Sequence, residues 1–226
     1  MTFKSTLISG EIYLWSYGIS LLSAFVLTFI LILLFKKLNW LKHLFNKLMP
    51  SMGKPVVPFG GLPVILSFIL VLWSFYFAGW IHAGSLPLIK KITLGVAMMT
   101  VLGIYDDIYH CPPKIKLLFQ TVIAVILFYA GFQIDRIGDV VELGSFSIFL
   151  TVFWIVGITN SINLVDGIDG LASGLVLLSC MTLSFVYLER DMVEASLLAV
   201  ILTGSILGFF VFNFPPAKII LGDTGS

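Results

Sequence analysis

The chain has 226 residues, of which 59% are hydrophobic and only 11% are charged. A soluble globular domain carries about a quarter charged residues, so this chain has too little polar surface to cover a water-soluble particle. Intrinsic disorder is excluded because disordered chains are poor in aromatic residues, whereas this chain contains 20 Phe. The formal net charge of +1 provides no basic face for nucleic acid, and two cysteines provide no disulfide framework. The composition therefore indicates an integral membrane protein.

Seven stretches free of Asp, Glu, Lys and Arg divide the chain into predicted membrane spans. They are Ile12–Phe35, Pro55–Ile89, Ile92–Tyr105, Leu117–Ile134, Leu143–Val165, Gly170–Leu188 and Ala195–Ala217. A spanning helix needs about 20 apolar residues, and six of the stretches are long enough. The short third stretch can span if its helix starts near Leu86 and Lys90 and Lys91 extend to an interface. We predict an all-α transmembrane bundle of about seven spans, forming a single integral membrane domain over residues 1–226.

The lysines in the connections predict the orientation of the bundle. The first connection contains five of them, which are Lys36, Lys37, Lys42, Lys47 and Lys54. The positive-inside rule therefore assigns this face to the cytoplasm and the N-terminus to the opposite side.

Five carboxylates lie at predicted span ends on this cytoplasmic face. They are Asp106, Asp107, Asp166, Asp169 and Asp223. Four lysines lie in connections on the same face, namely Lys54, Lys114, Lys116 and Lys218. Carboxylates beside hydrocarbon are costly unless a cation compensates them, and such groups are functional candidates by default. This gathering of charge is the main functional indication.

The first motif is the pair Asp106-Asp107 at the end of the third predicted span. Adjacent carboxylates repel each other, so a metal ion or a lysine is expected beside them. The alternative is that both residues mark the exit of the helix into water. Lys114 and Lys116 follow Pro112-Pro113 and could contact a metal-bound phosphate, although positive-inside topology alone would also explain them.

Two further motifs supply hard oxygen donors. The segment Asn160–Gly170 contains two amides, two carboxylates and two glycines, which suit Mg²⁺ and diphosphate oxygens. The alternative is an ordinary turn, since Asn, Asp and Gly are common turn formers. The segment Asn213–Ser226 adds Asp223 between glycines that permit close backbone approach, with a plain helix cap as its alternative.

In combination, these motifs resemble the polyprenyl-phosphate N-acetylhexosamine-1-phosphate transferases of glycosyltransferase family 4. The resemblance runs from Lys54-Pro55 to Ser226. It implies a multi-pass protein of the bacterial cytoplasmic membrane with its active face towards the cytoplasm. The implied reaction transfers a sugar-1-phosphate from a UDP-N-acetylhexosamine to polyprenyl (undecaprenyl) phosphate and releases UMP, which is the first membrane step of cell-envelope glycan synthesis. It also implies Mg²⁺, with Mn²⁺ as a substitute, and allows for a homodimer.

The resemblance assigns roles to ten residues. Asn163 and Asp223 are the implied metal ligands. Three carboxylates are the implied catalytic residues: Asp106 and Asp107, which meet the lipid phosphate or activate it, and Asp166, which supports the acidic centre. The implied substrate-binding residues are Lys116 for phosphate, Gly167, Ile168 and Asp169 for the uracil, and Lys54. The residues before Lys54 depart from the charged run that the family often carries there, which weakens the role of that lysine.

Two further expectations concern substrate and extent. The short path from Asp107 to Lys114 resembles the N-acetylglucosamine-type enzymes more than the muramoyl-pentapeptide branch. The family continues with more helices and a His-containing loop beyond the Gly222–Ser226 motif, so the chain is expected to be the N-terminal part of such an enzyme and inactive alone. The alternative from another class is a divalent-cation transporter or channel. Transport would favour carboxylates at mid-membrane depth, whereas these lie at span ends.

Overall fold

The computed structural model describes residues 3–37, 60–138 and 140–226, with side chains described from residue 15 onward. Within these ranges it contains seven α-helices: α1 (Phe3–Lys37), α2 (Gly61–Phe77), α3 (Leu86–Tyr109), α4 (Pro113–Tyr129), α5 (Ser147–Val165), α6 (Leu171–Glu189) and α7 (Val193–Asn213). A hairpin of β1 (Arg136–Ile137) and β2 (Val141–Glu142) lies between α4 and α5. The predicted all-α polytopic fold is confirmed.

The predicted number of spans is wrong for the described part of the chain. Five helical segments there are long and apolar enough to cross a membrane: Trp15–Lys37, Ala83–Tyr109, Gly144–Val165, Leu171–Glu189 and Val193–Asn213. Helices α2 and α4 have 17 residues each, which is about 25 Å against a hydrocarbon core of about 30 Å. The charge-free stretches overestimated both because they included turn residues. A turn at Gly60 precedes α2, and Gly131 (φ +101°) follows α4.

The short third stretch does form a full-length helix, which begins at Leu86 as expected. Pro87 lies in the first turn of α3, where its missing N–H costs no hydrogen bond. The helix ends at His110, which adopts the left-handed conformation (φ 51°) while its N–H donates to the carbonyl of Asp106 at 2.9 Å. Only three residues separate α3 from α4, so the end of α3 lies beside the start of α4.

Close approach of α1 and α7 forms the centre of the bundle. A Cβ atom on Gly208 would lie 2.7 Å from the carbonyl oxygen of Phe25 and 2.9 Å from Cβ of Thr28. Gly204, one turn earlier, faces α1 in the same way. These two glycines form a small-xxx-small surface, which lets two membrane helices approach backbone to backbone.

Two buried apolar clusters hold α1, α2 and α7 together, and the second also includes residues beyond α7. Ile219 and Leu221 pack there against Val64 of α2 and Phe209 of α7. A polar contact joins the same three helices, because Ser67 hydrogen-bonds both Thr28 and Ser205. This packing fixes the path of residues 217–226 (the 217–226 segment) against the ends of the helices.

The glycine surface gives the first prediction. Replacing Gly208 with Leu should lower the free energy of unfolding by about 1–3 kcal/mol, because the larger side chain must separate α1 from α7. The measurement is the thermal unfolding midpoint in detergent. Gly157 of α5 is the matched control, since its Cβ position meets no atom within 4 Å. Equal losses for Gly208→Leu and Gly157→Leu would contradict the packing role.

Candidate active site

The 217–226 segment crosses the helix ends and is joined to the start of α2 by backbone hydrogen bonds. Gly60 N–H donates to the carbonyl of Ile220 and Gly61 N–H donates to that of Leu221, both at 2.9 Å. A Cβ on Gly61 would overlap the backbone of Gly225. The glycines at the start of α2 therefore admit this segment at backbone contact distance.

The carboxylate of Asp107 holds the next part of the segment against α3. It accepts hydrogen bonds from Asp223 N–H at 2.8 Å, from Thr224 N–H at 2.9 Å and from the Thr224 hydroxyl. Asp107 is 6% exposed, so these three donors replace water around the carboxylate. Gly103, one turn earlier in α3, makes room, because a Cβ there would lie 2.5 Å from Cα of Thr224.

Lys116 supplies the cation that the acidic pair was expected to need. Its Nζ lies 2.6 Å from Oδ2 of Asp106 and 2.6 Å from Oδ1 of Asp223. The other oxygen of Asp106 accepts the N–H of Cys111 at 2.8 Å, which fixes the turn between α3 and α4. Asn163 of α5 donates from its side chain to the same Oδ1 of Asp223. One carboxylate oxygen of Asp223 thus joins groups from α4 and α5.

The turn after α5 is joined to the same segment by two other carboxylates. Asp166 accepts the N–H of Gly222 at 3.2 Å, and Asp169 accepts the N–H of Ala217 at 3.0 Å. Burial, together with the charges of Asp223 and Asp107, raises the pKa of Asp166 to about 6, although the Gly222 hydrogen bond opposes the shift. A cation bound nearby would favour the charged form of Asp166.

Six of the ten predicted site residues gather at this end of the bundle. They are Asp106, Asp107, Lys116, Asn163, Asp166 and Asp223. Gly167, Ile168 and Asp169 form the adjoining exposed turn, in which Ile168 is 62% exposed. Lys54 lies outside the described residues. The individual roles of these residues stay predictions.

Two amide side chains belong to this region although the sequence reasoning did not select them as site residues. Gln120 is 2% exposed, lies one turn after Lys116 and accepts a hydrogen bond from Asn160 at 2.7 Å. Asn213 is 3% exposed and is the last residue of α7. Each is an isolated amide in an otherwise apolar stretch, and that is the signal that could have identified them, because polar groups in membrane helices need a partner.

The chemistry of the donors is suited to a hard divalent cation. In the described ranges, no three or more His, Cys, Asp or Glu side chains are grouped so that they could hold a metal ion. Mg²⁺, however, is usually bound by one or two protein ligands together with substrate phosphates and water. Asp223 and the amide of Asn163 are in contact at the edge of a cavity of about 500 Å³. The residues present fit a site that substrate oxygens complete.

An apolar groove leads away from this cluster along the outside of the bundle. It lies between α4 and α5, has a volume of about 640 Å³ and is lined by Leu117, Thr121, Val152, Phe153, Gly157 and Asn160. Leu117 directly follows Lys116, and Asn160 lies one turn before Asn163. Residues that neighbour the charged groups in sequence thus line one end of this apolar surface.

Fold and site together define a class of protein. It is a helical membrane bundle in which carboxylates, an amide and a lysine gather at one end. Within that class, residues 89–226 match the model of glycosyl transferase family 4. This match covers more than half of the chain, and the chain belongs to that family.

Relatives with known names are similar over most of this chain. A probable undecaprenyl-phosphate N-acetylglucosaminyl 1-phosphate transferase of Bacillus subtilis is 37% identical over 80% of the chain and 48% of its own length. A phospho-N-acetylmuramoyl-pentapeptide-transferase of Streptococcus uberis is 35% identical over 82% of the chain and 57% of its own length. The enzyme of the same name from Streptococcus agalactiae is 33% identical over 90% and 67%. The chain therefore spans about half to two thirds of the length of these relatives.

The contact between Asp107 and Thr224 gives the second prediction. Asp107→Asn should lower the free energy of unfolding by about 1.5–3 kcal/mol, because the amide turns an N–H₂ group towards one of the three donors. Combined with Thr224→Val, the two losses should be less than additive by about 1 kcal/mol, since both changes remove the same hydrogen bond. Thermal unfolding in detergent measures the cycle.

Thr182→Val serves as the control for this cycle. The hydroxyl of Thr182 is exposed and donates only to the carbonyl of Leu178 in its own helix, at 2.9 Å. Its loss should be additive with that of Asp107→Asn. Full additivity of Asp107→Asn with Thr224→Val would contradict the proposed clamp.

Proposed function

We propose that the protein transfers an N-acetylhexosamine-1-phosphate from a UDP-sugar to polyprenyl phosphate. The observation that carries this proposal is that Lys116 lies between Asp106 and Asp223 in the wall of a mainly apolar cavity, one residue before Leu117 of the apolar groove. Charged groups for phosphate thus adjoin a surface for a lipid chain. Family membership and the names of the relatives support the same reaction. Because the chain spans only part of those relatives, the activity is proposed for the whole protein.

We propose that the lipid substrate binds along the groove. Its phosphate would lie against the ammonium of Lys116, which is a point charge suited to phosphate oxygens. The polyprenyl chain would follow the groove between α4 and α5, where Leu117 and Phe153 offer apolar contact. With the phosphate at the membrane surface and the chain in hydrocarbon, the nucleophile is held in one orientation, which accounts for much of the rate in reactions of this type.

The sugar nucleotide is proposed to bind between the turn after α5 and the 217–226 segment. Asp169 and the backbone of Gly167 and Ile168 form an exposed turn that would receive the uracil. The diphosphate would then lie near Asp223 and Asn163. Asp166 borders both regions through its hydrogen bond from Gly222.

Magnesium is the proposed cofactor, and Asp223 and Asn163 would hold it. When bound, it would neutralise the negative charge of the diphosphate. The phosphate oxygen of the lipid attacks the phosphorus that carries the sugar, and the bond from that phosphorus to the bridging oxygen breaks as UMP leaves. A phosphate monoester is already nucleophilic near neutral pH, so Asp106 and Lys116 need only orient it. All described hydrogen bonds of the Asp107 side chain are with the 217–226 segment. This favours a role in which Asp107 holds that segment in place and does not contact the reacting phosphate.

N-acetylglucosamine is the proposed sugar, against the muramoyl pentapeptide as the other candidate. The three-residue connection between α3 and α4 supports it, as does the name of the Bacillus subtilis relative. Purified protein offered both UDP-sugars in competition would decide, and preferential labelling of the lipid by the muramoyl pentapeptide would reject this choice.

The third prediction concerns the central carboxylate. Asp223→Asn in the full protein should lower the transfer of labelled N-acetylglucosamine-1-phosphate to undecaprenyl phosphate by about 10³-fold or more, because it removes a charge that both Lys116 and the metal ion require. Chelation of Mg²⁺ should abolish transfer in the unsubstituted protein, and added Mg²⁺ should restore it.

The control for this assay is Glu142→Gln, since Glu142 pairs with Arg136 in the exposed hairpin at the opposite end of the bundle. Its rate should stay within a factor of two of the unsubstituted protein. A normal rate for Asp223→Asn would reject the site, whereas absence of transfer in the unsubstituted protein would reject the function.

The fourth prediction concerns competition between Lys116 and the metal ion for Asp223. Lys116→Met should tighten Mn²⁺ binding by about tenfold or more, because it leaves two carboxylates without their cation. The same variant should lower transfer, because the lipid phosphate loses its point charge. Titration of Mn²⁺ followed by electron paramagnetic resonance measures the first effect. Lys114→Met is the matched control, since Lys114 is exposed on the same turn of α4. Weaker Mn²⁺ binding in Lys116→Met would contradict the competition.

A further inference from the structure

Asn213 is a buried amide that joins two parts of the candidate site, and neither the proposed reaction nor the metal site uses it. Its side-chain oxygen accepts the N–H of Gly170 at 3.1 Å and the hydroxyl of Ser173 at 2.6 Å. Its side-chain nitrogen donates to the carbonyl of Ile219 at 2.9 Å. One amide therefore contacts both the start of α6 and the 217–226 segment.

The contacts of Asn213 also hold the start of α6. Gly170 is the N-cap of α6, has φ +74° and has no side chain that could make a hydrogen bond there. From another helix, Asn213 accepts the N–H of Gly170 itself and the hydroxyl of Ser173. Because the preceding turn at Gly167 and Ile168 is exposed and has little packing, its position depends on hydrogen bonds at its ends.

Three hydrogen bonds join this turn region to the 217–226 segment: Ala217 to Asp169, Gly222 to Asp166, and Asn213 to Ile219. Asp166 and Asp169 are charged and each uses one carboxylate oxygen here, so ligand binding can compete for them. Asn213 is uncharged and 3% exposed, so its hydrogen bond to Ile219 does not depend on a carboxylate for which a ligand can compete.

We propose that Asn213 is a positioning residue for the sugar nucleotide, which sets the distance between the uracil-side turn at Asp169 and the metal-side carboxylate of Asp223. This inference rests on the proposed function. A nucleotide diphosphate has a fixed span between base and phosphates, so its binding depends on that distance. The lipid site is different, because Lys116 and Asp106 belong to α4 and α3, which Asn213 does not contact.

Two variants of Asn213 separate its two links. Asn213→Asp keeps the oxygen that accepts from Gly170 and Ser173, but places a second oxygen opposite the carbonyl of Ile219. Asn213→Leu removes all three hydrogen bonds. Amide hydrogen exchange should therefore rise in residues 219–224 for both variants, and at the start of α6 only for Asn213→Leu. Ser179→Ala is the control, since Ser179 is exposed on α6 and donates to its own helix.

Steady-state transfer with both substrates varied tests the consequence. Both Asn213 variants should raise KM for the UDP-sugar by roughly 10-fold to 100-fold, as is typical when a supporting contact behind a ligand site is lost. KM for undecaprenyl phosphate should stay within twofold. If only kcat falls while both KM values stay unchanged, Asn213 is merely structural and the proposal is wrong.

The two measurements keep this inference separate from the proposed function. Unchanged exchange in residues 219–224, or a rise spread over the whole chain, would overturn the positioning role whatever the activity. If the unsubstituted protein transfers no sugar phosphate, the proposed function fails and the assignment to the sugar nucleotide fails with it, while the exchange pattern still decides whether Asn213 joins the two segments.

Discussion

The carboxylate of Asp107 lies at the end of a membrane helix, where an uncompensated charge is costly, and the donors around it come from residues 116 and 117 positions further along the chain. Two backbone N–H groups and a hydroxyl replace the water that the charge has lost. Those donors belong to the same segment that presents Asp223 to Lys116 and Asn163. The charged centre therefore exists only when α3 and the 217–226 segment are in contact.

Five carboxylates share one end of the bundle, but their contacts divide them into two groups. Asp107, Asp166 and Asp169 accept backbone N–H groups and hold the 217–226 segment in place. Asp106 and Asp223 instead share the ammonium of Lys116. A cation between the last two relieves their repulsion, which is why they can approach so closely beside an apolar groove. The first group fixes the position of the segment, and the second gathers opposite charge around one lysine.

The sequence predicted the helical fold well because membrane helices are recognisable as long apolar stretches without charge. It overestimated the number of spans, since an apolar turn residue such as Gly131 cannot be distinguished by charge from a residue within the helix. For the site, the acidic residues and Lys116 were recognisable because ionisable groups are rare in such a chain. Asn213 was harder to find, because a single amide carries no charge. Its partners Gly170 and Ser173 are remote in sequence, and Ile219 is close in sequence but lies beyond the end of α7.

Composition and charge placement by themselves determined that the chain is a helical membrane protein with a charged centre at one end. Charge is costly to bury in hydrocarbon, so the few ionisable residues at span ends indicate a site. The motifs further determined the family that the chain resembles. Which carboxylate meets a cation and which meets a backbone N–H was decided only by the tertiary structure. Both arrangements stabilise a buried charge equally well in principle, and the choice between them depends on how Gly61 and Gly103 let the 217–226 segment approach α2 and α3.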